Sequence, residues 1–308
     1  MNFGFILMFD GSQGQSTKLV YDEAVEYIRA SELAGFSTIW LTEHHGKSNR
    51  LCPSIPLMMS YLSSYTDLEL GAATILLSHY DARHIAEKIG LLSNLAKNNF
   101  LYGFARGGNG EVLLHDDGDE CKARDEMIKK ITELFAHLNN HTDGSFPKPT
   151  QEQKFFLASK DDTAVRYAAE HDLGVMAGQK WTLDEVRAVR DKYSVYHPQH
   201  KPPELMLSRY LLINKNENDA IDRIRLETER RKMQKSKQIY DDKNPLKEWV
   251  LANESPVGPI EKAEKLFQTY KDLGVNRLAF RQATFDFTDT ISSIRRIGEL
   301  IKNMENSQ

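Results

Sequence analysis

Ala34-Gly35-Phe36-Ser37-Thr38-Ile39-Trp40-Leu41-Thr42-Glu43-His44-His45 runs from the end of a helix through a strand to the titratable groups that follow it. Gly35 suits the left-handed residue that ends many helices. Ser37 to Leu41 is a short apolar run of β type. A carboxylate and two imidazoles at a strand's C-terminal end stand where α/β enzymes build active sites. The stretch therefore points to an enzyme built from βα units.

Seven further β-rich runs surround it: Phe3 to Met8, Leu68 to Ile75, Asn99 to Ala105, Lys154 to Ala158, Leu173 to Ala177, Leu205 to Ile213 and Asn276 to Phe280. Helical patterns alternate with them, as in the stripe Met127, Ile128, Ile131, Leu134, Phe135 and Leu138, and again in Ile291, Ile294, Ile297 and Ile301. Leu273-Gly274-Val275 repeats the helix stop of Ala34-Gly35-Phe36. Eight runs in βα alternation predict a closed parallel sheet, a (β/α)8 TIM barrel forming a single domain over residues 1–308. A charged insertion at residues 225–256 interrupts the pattern before the last βα unit. Its first part reads as a solvated helix, its second as either a mobile lid or an ordinary surface excursion. Asn139 to Gln153 reads as a loop.

Across 308 residues, 40 Lys and Arg stand against 44 Asp and Glu, so no basic field exists to attract nucleic acid. Cys52 and Cys121 form no metal-type or redox-type pair, which fits a reducing cytoplasm. Met1 to Met8 lacks signal-peptide features, and no apolar stretch approaches the roughly 20 residues needed to cross a bilayer. The expectation is a soluble cytoplasmic protein with no membrane partner.

His44 is the leading candidate for proton transfer, with Glu43 adjacent to orient a ring or stabilise its cation. Adjacent strand residues point opposite ways, so His44 and His45 are expected to play different parts. No histidine spacing suits a metal site. Arg106-Gly107-Gly108-Asn109-Gly110 joins a guanidinium to a glycine-rich loop, a combination that serves a phosphate or only a turn. Arg124 reaches the same anion or lies in a surface ion pair. Ser159 or Thr163, where Ala158-Ser159-Lys160-Asp161-Asp162-Thr163 enters a helix, either donates to phosphate or caps the helix. Asp161 and Asp162 would repel an anion and are assigned to the helix start.

These positions, in this order, resemble the bacterial luciferase-like family of flavin-dependent monooxygenases over nearly the whole chain. The resemblance rests on Ala34 to His45, on Ile85-Ala86-Glu87 through Leu91-Leu92-Ser93-Asn94-Leu95, on Tyr102-Gly103-Phe104-Ala105-Arg106-Gly107, and on Pro256-Val257-Gly258 with Leu273-Gly274-Val275. It implies a barrel that binds FMN, delivered reduced by a separate flavin reductase, and uses O2 to insert one oxygen into a small organic substrate such as an aldehyde or other carbonyl compound. By the same resemblance His44 assists proton transfer. Arg106, Arg124 and Ser159 or Thr163 hold the FMN phosphate, Ala73-Thr74 forms a cis peptide against the flavin, and Trp181 stands beside it or packs in the core. A homodimer burying apolar helix faces is also implied. Ala105 replaces the cysteine of light-emitting members, which argues against luminescence. Two other readings remain: a deazaflavin-dependent oxidoreductase transferring hydride, and a non-catalytic flavin-binding subunit.

Overall fold

The computed structural model describes residues 1–11, 14–46, 50–107, 120–139, 147–234, 245–284 and 286–306. The eight expected strands are β1 (Asn2–Leu7), β2 (Thr38–Leu41), β3 (Glu69–Leu76), β4 (Phe100–Ala105), β5 (Lys154–Leu157), β6 (Gly174–Ala177), β7 (Leu205–Ile213) and β9 (Arg277–Gln282). A two-residue strand, β8 (Val257–Gly258), was not anticipated; it is too short to carry a pattern. Strand order is β6-β5-β4-β3-β2-β1-β9-β7-β8, and β6 also pairs with β7, which makes the closed parallel eight-stranded barrel of a (β/α)8 fold. Helices alternate with the strands: α1 (Thr17–Leu33), α2 (Ile55–Leu62), α3 (Ala82–Leu95), α4 (Glu120–Asn139), α5 (Asp162–Glu170), α6 (Leu183–Tyr196), α7 (Glu217–Gln234), α8 (Pro245–Asn253), α9 (Ile260–Asp272) and α10 (Phe287–Asn306).

The chain divides into two compact units. The first comprises Met1–Ser37, Ala177–Ala188 and Glu204–Gln308. Its core includes an aromatic cluster in which Phe280 meets Phe3, Phe36 and Phe267 at ring-centroid distances of 5.7 to 6.2 Å. Gly35 and Gly274 end α1 and α9 with φ of +81° and +83°, as the sequence predicts. A cavity of about 340 Å³ opens near the ends of β1 and β9 among Asp10, Gln15, Glu23, Gln282 and Asp286.

The expected insertion at 225–256 falls in this unit. Its first residues continue α7, residues 235–244 lie outside the described residues, and the remainder is α8 and its exit. The exit is anchored: Val250, Leu251, Glu254 and Ser255 are buried.

The second unit comprises Thr38–Met176 and Val189–Pro203. Parallel ladders join β2 to β3, β3 to β4 and β4 to β5. Their packing depends on two strand glycines. A Cβ on Gly71 would stand 2.2 Å from the Trp40 ring, and one on Gly103 would stand 2.3 Å from Met176 Sδ. Asn98 is 1% exposed and donates to the carbonyls of Thr66 and Leu68, tying the approach to β3. Among the described residues no helix is long and apolar enough to cross a membrane.

Candidate active site

Because β2, β3, β4 and β5 are consecutive parallel neighbours, their C-terminal ends fall on one edge of the second unit. Glu43, His44 and His45 follow β2, Ala73 and Thr74 lie in β3, Arg106 and Gly107 follow β4, and Ser159 follows β5.

Glu43 organises the first of these ends. It is 2% exposed and accepts four hydrogen bonds: from Leu76 N at 3.2 Å, Ile55 N at 3.3 Å, the Tyr80 hydroxyl at 2.9 Å and His45 Nε2 at 3.1 Å. The carboxylate thus joins the end of β3 and the start of α2 to the end of β2. Burial, then the Glu43 charge, pushes the Tyr80 hydroxyl above the usual phenol range. His45 stacks on His79 with centroids 4.1 Å apart.

His44, also beyond the end of β2, has different contacts. Its backbone N–H donates to Cys52 O at 3.0 Å. Arg50 Nη1 lies 3.3 Å from its Nε2 and 3.4 Å from its Nδ1. The guanidinium lies almost equally near both ring nitrogens, so Arg50 packs against the imidazole as a whole, and the ring tautomer decides which nitrogen carries the proton. Glu43 takes the His45 ring as a hydrogen-bond partner.

The turn after β3 is fastened from α4: Lys130 Nζ donates to the carbonyls of Leu77, Ser78 and Tyr80 at 3.0 to 3.3 Å. Sequence reasoning missed Arg50, His79, Tyr80 and Lys130. Leu77-Ser78-His79-Tyr80 directly after β3 was the available signal, since strand-end side chains belong to the same edge as His44.

The Ala73-Thr74 peptide is cis, as the resemblance implied. Arg106 and Ser159 extend neighbouring strands, tied together where Ala158 N donates to Phe104 O at 2.9 Å. Gly107 takes φ of +92°, a conformation that favours glycine; Gly108 to Gly110 lie outside the described residues.

Arg124 reaches the same loop, its Nη1 donating to Asp161 Oδ2 at 3.0 Å. Asp161 also caps α5, accepting from Thr163 N and Ala164 N at 3.0 and 3.3 Å, while Ser159 Oγ accepts from Asp161 N at 3.2 Å. Two guanidinium groups and a hydroxyl fit the donor set of a phosphate ester. Thr163, with its amide already given to Asp161, fits least well. An anion bound here would share Arg124 with Asp161.

The sequence profile of the luciferase-like monooxygenases matches residues 1–277. The chain belongs to that family. Among relatives of the luciferase-like chain, the oxygenase component of the flavin-dependent trigonelline monooxygenase of Acinetobacter baylyi is 23% identical over 237 residues, 70% of this chain and 66% of that one. An alkanal monooxygenase alpha chain of Photorhabdus laumondii is 34% identical over 168 residues, 53% of this chain and 45% of that one. The chain spans about half the length of several curated relatives that it matches.

Solved structures share the fold. The monooxygenase RslO1 of Streptomyces bottropensis superposes with TM-score 0.80 at 17% identity, covering 99% of this chain and 100% of that one. The FMN-bound oxygenating constituent of 3,6-diketocamphane monooxygenase of Pseudomonas putida gives 0.75 at 15%, covering 97% of each. An F420-dependent secondary alcohol dehydrogenase gives 0.72 at 12%, covering 96% of this chain and 97% of that one. Neighbours of this family member therefore include FMN-dependent and F420-dependent types.

Proposed function

We propose that this luciferase-like protein is an FMN-dependent, non-luminescent monooxygenase that inserts one oxygen into a small organic substrate, an aldehyde or related carbonyl compound. The observation that carries the reading is the convergence of His44, Ala73-Thr74, Arg106 and Ser159 on consecutive strand ends, with Arg124 at the same loop. Reduced flavin, when bound, supplies the electrons that activate O2. Arg106, Arg124 and Ser159 hold the phosphate, with Thr163 beside them on the first turn of α5. Ala73 and Thr74 line the flavin ring. His44 moves the proton at a ring nitrogen, while the Glu43 hydrogen bonds keep its strand end from shifting.

The Acinetobacter relative is an oxygenase component, which supports a separate flavin reductase as the transient partner. A homodimer is supported by exposed large apolar side chains on α2, α3 and the turn after α2: Leu57 and Leu95 are 73% and 68% exposed, and Tyr61, Tyr65 and Leu91 are exposed as well. The proposed location is the cytoplasm.

The second reading, hydride transfer to or from F420, is favoured by the alcohol dehydrogenase among the structural neighbours. Anaerobic titration with reduced FMN and, separately, reduced F420 tests cofactor choice; mixing with ¹⁸O2 and a set of aldehydes and ketones tests oxygen insertion. FMN binding with ¹⁸O in the product supports the monooxygenase. F420 binding with no label favours hydride transfer. His44→Ala is expected to leave FMN affinity unchanged and to lower turnover by about 10²- to 10⁴-fold; loss of FMN binding instead would make His44 structural.

A further inference from the structure

β7 is buried along its whole length, yet Arg209 sits in its middle with 0% exposure. A guanidinium in such a strand needs acceptors for its fork. Nη2 donates to Trp181 O at 2.9 Å and lies 3.4 Å from Glu254 Oε2. Nη1 donates to Ser208 O at 3.0 Å and lies 3.5 Å from Gly178 O. Glu254 Oε2 also accepts from Leu183 N at 2.9 Å, and the backbone carbonyl of Glu254 accepts from the Tyr270 hydroxyl at 2.6 Å. One buried ion pair therefore grips the turn from β6 to α6 at three backbone positions, 178, 181 and 183.

The pair is poorly explained as a device for stability. Removing two charges from water is costly, and apolar replacement of such pairs is often neutral or stabilising. Arg209 Nε, moreover, has no hydrogen-bond partner among the described residues. What the arrangement does achieve is geometric: it sets the turn that carries Trp181, whose amide closes back onto Gly178 O at 3.0 Å.

We infer that Arg209, with Glu254 as its counter-ion, is a positioning residue for Trp181. The functional part of this inference rests on the resemblance, by which Trp181 stands beside the flavin of the proposed reading. Positioning also gives the exit of α8 a task other than that of a lid: through Glu254 it is a fixed support.

The test uses the full chain labelled with 5-fluorotryptophan. Its three tryptophans give three ¹⁹F resonances, and Trp181→Phe assigns one of them. Arg209→Lys keeps the charge but loses the fork. The double variant Arg209→Met with Glu254→Gln leaves neither charge buried and tests the same position a second way. The expected result is a shifted or split Trp181 resonance, with that of Trp40, which makes none of these contacts, unchanged. An unmoved Trp181 resonance in a folded variant, or an equal shift of all three, would overturn the inference.

Adding FMN to the wild-type chain separates the two layers. A Trp181 resonance that responds to FMN in the wild type but less in Arg209→Lys supports both. One that ignores FMN yet still moves in Arg209→Lys keeps the positioning role and sinks the flavin contact.

Discussion

Glu43 shows what a single side chain settles at this site. A carboxylate that is 2% exposed is tolerable only because four donors surround it. Glu43→Gln keeps the shape but turns one acceptor into a donor facing other donors. It is expected to cost about 2 to 4 kcal/mol in urea denaturation; a loss under about 0.5 kcal/mol would show that the network is dispensable. The sequence placed Glu43, His44 and His45 at a strand end and anticipated different tasks for the two rings. It could not say which ring the carboxylate takes, because the deciding donors lie 12, 33 and 37 positions downstream. Asp161 is the other instructive residue, expected at a helix start and found there, but also holding Arg124. Asp161→Asn preserves a good N-cap while releasing that arginine. FMN affinity is expected to rise by roughly tenfold, the scale of one charge-assisted hydrogen bond, with riboflavin affinity unchanged. A fall in FMN affinity with the helix intact would remove Arg124 from the phosphate site.

At the level of elements, the eight strands were legible because each carries its own apolar run between turn signals, and helix ends were legible at Gly35 and Gly274. Contacts between elements were not. Nothing in the run Leu68 to Ile75 reveals that Gly71 makes room for a ring from the neighbouring strand. Gly71→Ala puts a methyl group 2.2 Å from Trp40, whose ring also meets Phe156 edge-on at 6.1 Å. The expected loss is about 1 to 3 kcal/mol, read as a lower urea midpoint with unchanged m; an unchanged midpoint would mean that Trp40 has space to move. Lys130 was hidden for the same reason: its helix stripe was visible, but the three carbonyls it serves belong to another element.

For the molecule as a whole, pH is the informative variable. Burial, then the nearby Glu43 charge, pushes the Cys52 thiol from 9.0 up to about 12. The folded chain thus keeps a proton that the unfolded chain releases between pH 9 and about 12, so this group's contribution to stability falls as pH rises through that window. Denaturation midpoints are expected to drop more steeply above pH 9 in the wild type than in Cys52→Ala; equal slopes would refute the linkage. A thiol reagent at pH 8 is expected to modify exposed Cys121 alone until the chain unfolds. The candidate proton-transfer, ring-lining and phosphate-binding positions, His44, Ala73, Thr74, Arg106, Arg124, Ser159 and Thr163, belong to the unit built on Thr38–Met176, while Trp181 and the cavity at the ends of β1 and β9 belong to the other. On the proposed reading those positions are therefore heritable as one uninterrupted cassette: recombination that trades the sequence on either side of it can recut that cavity without rewriting any of them.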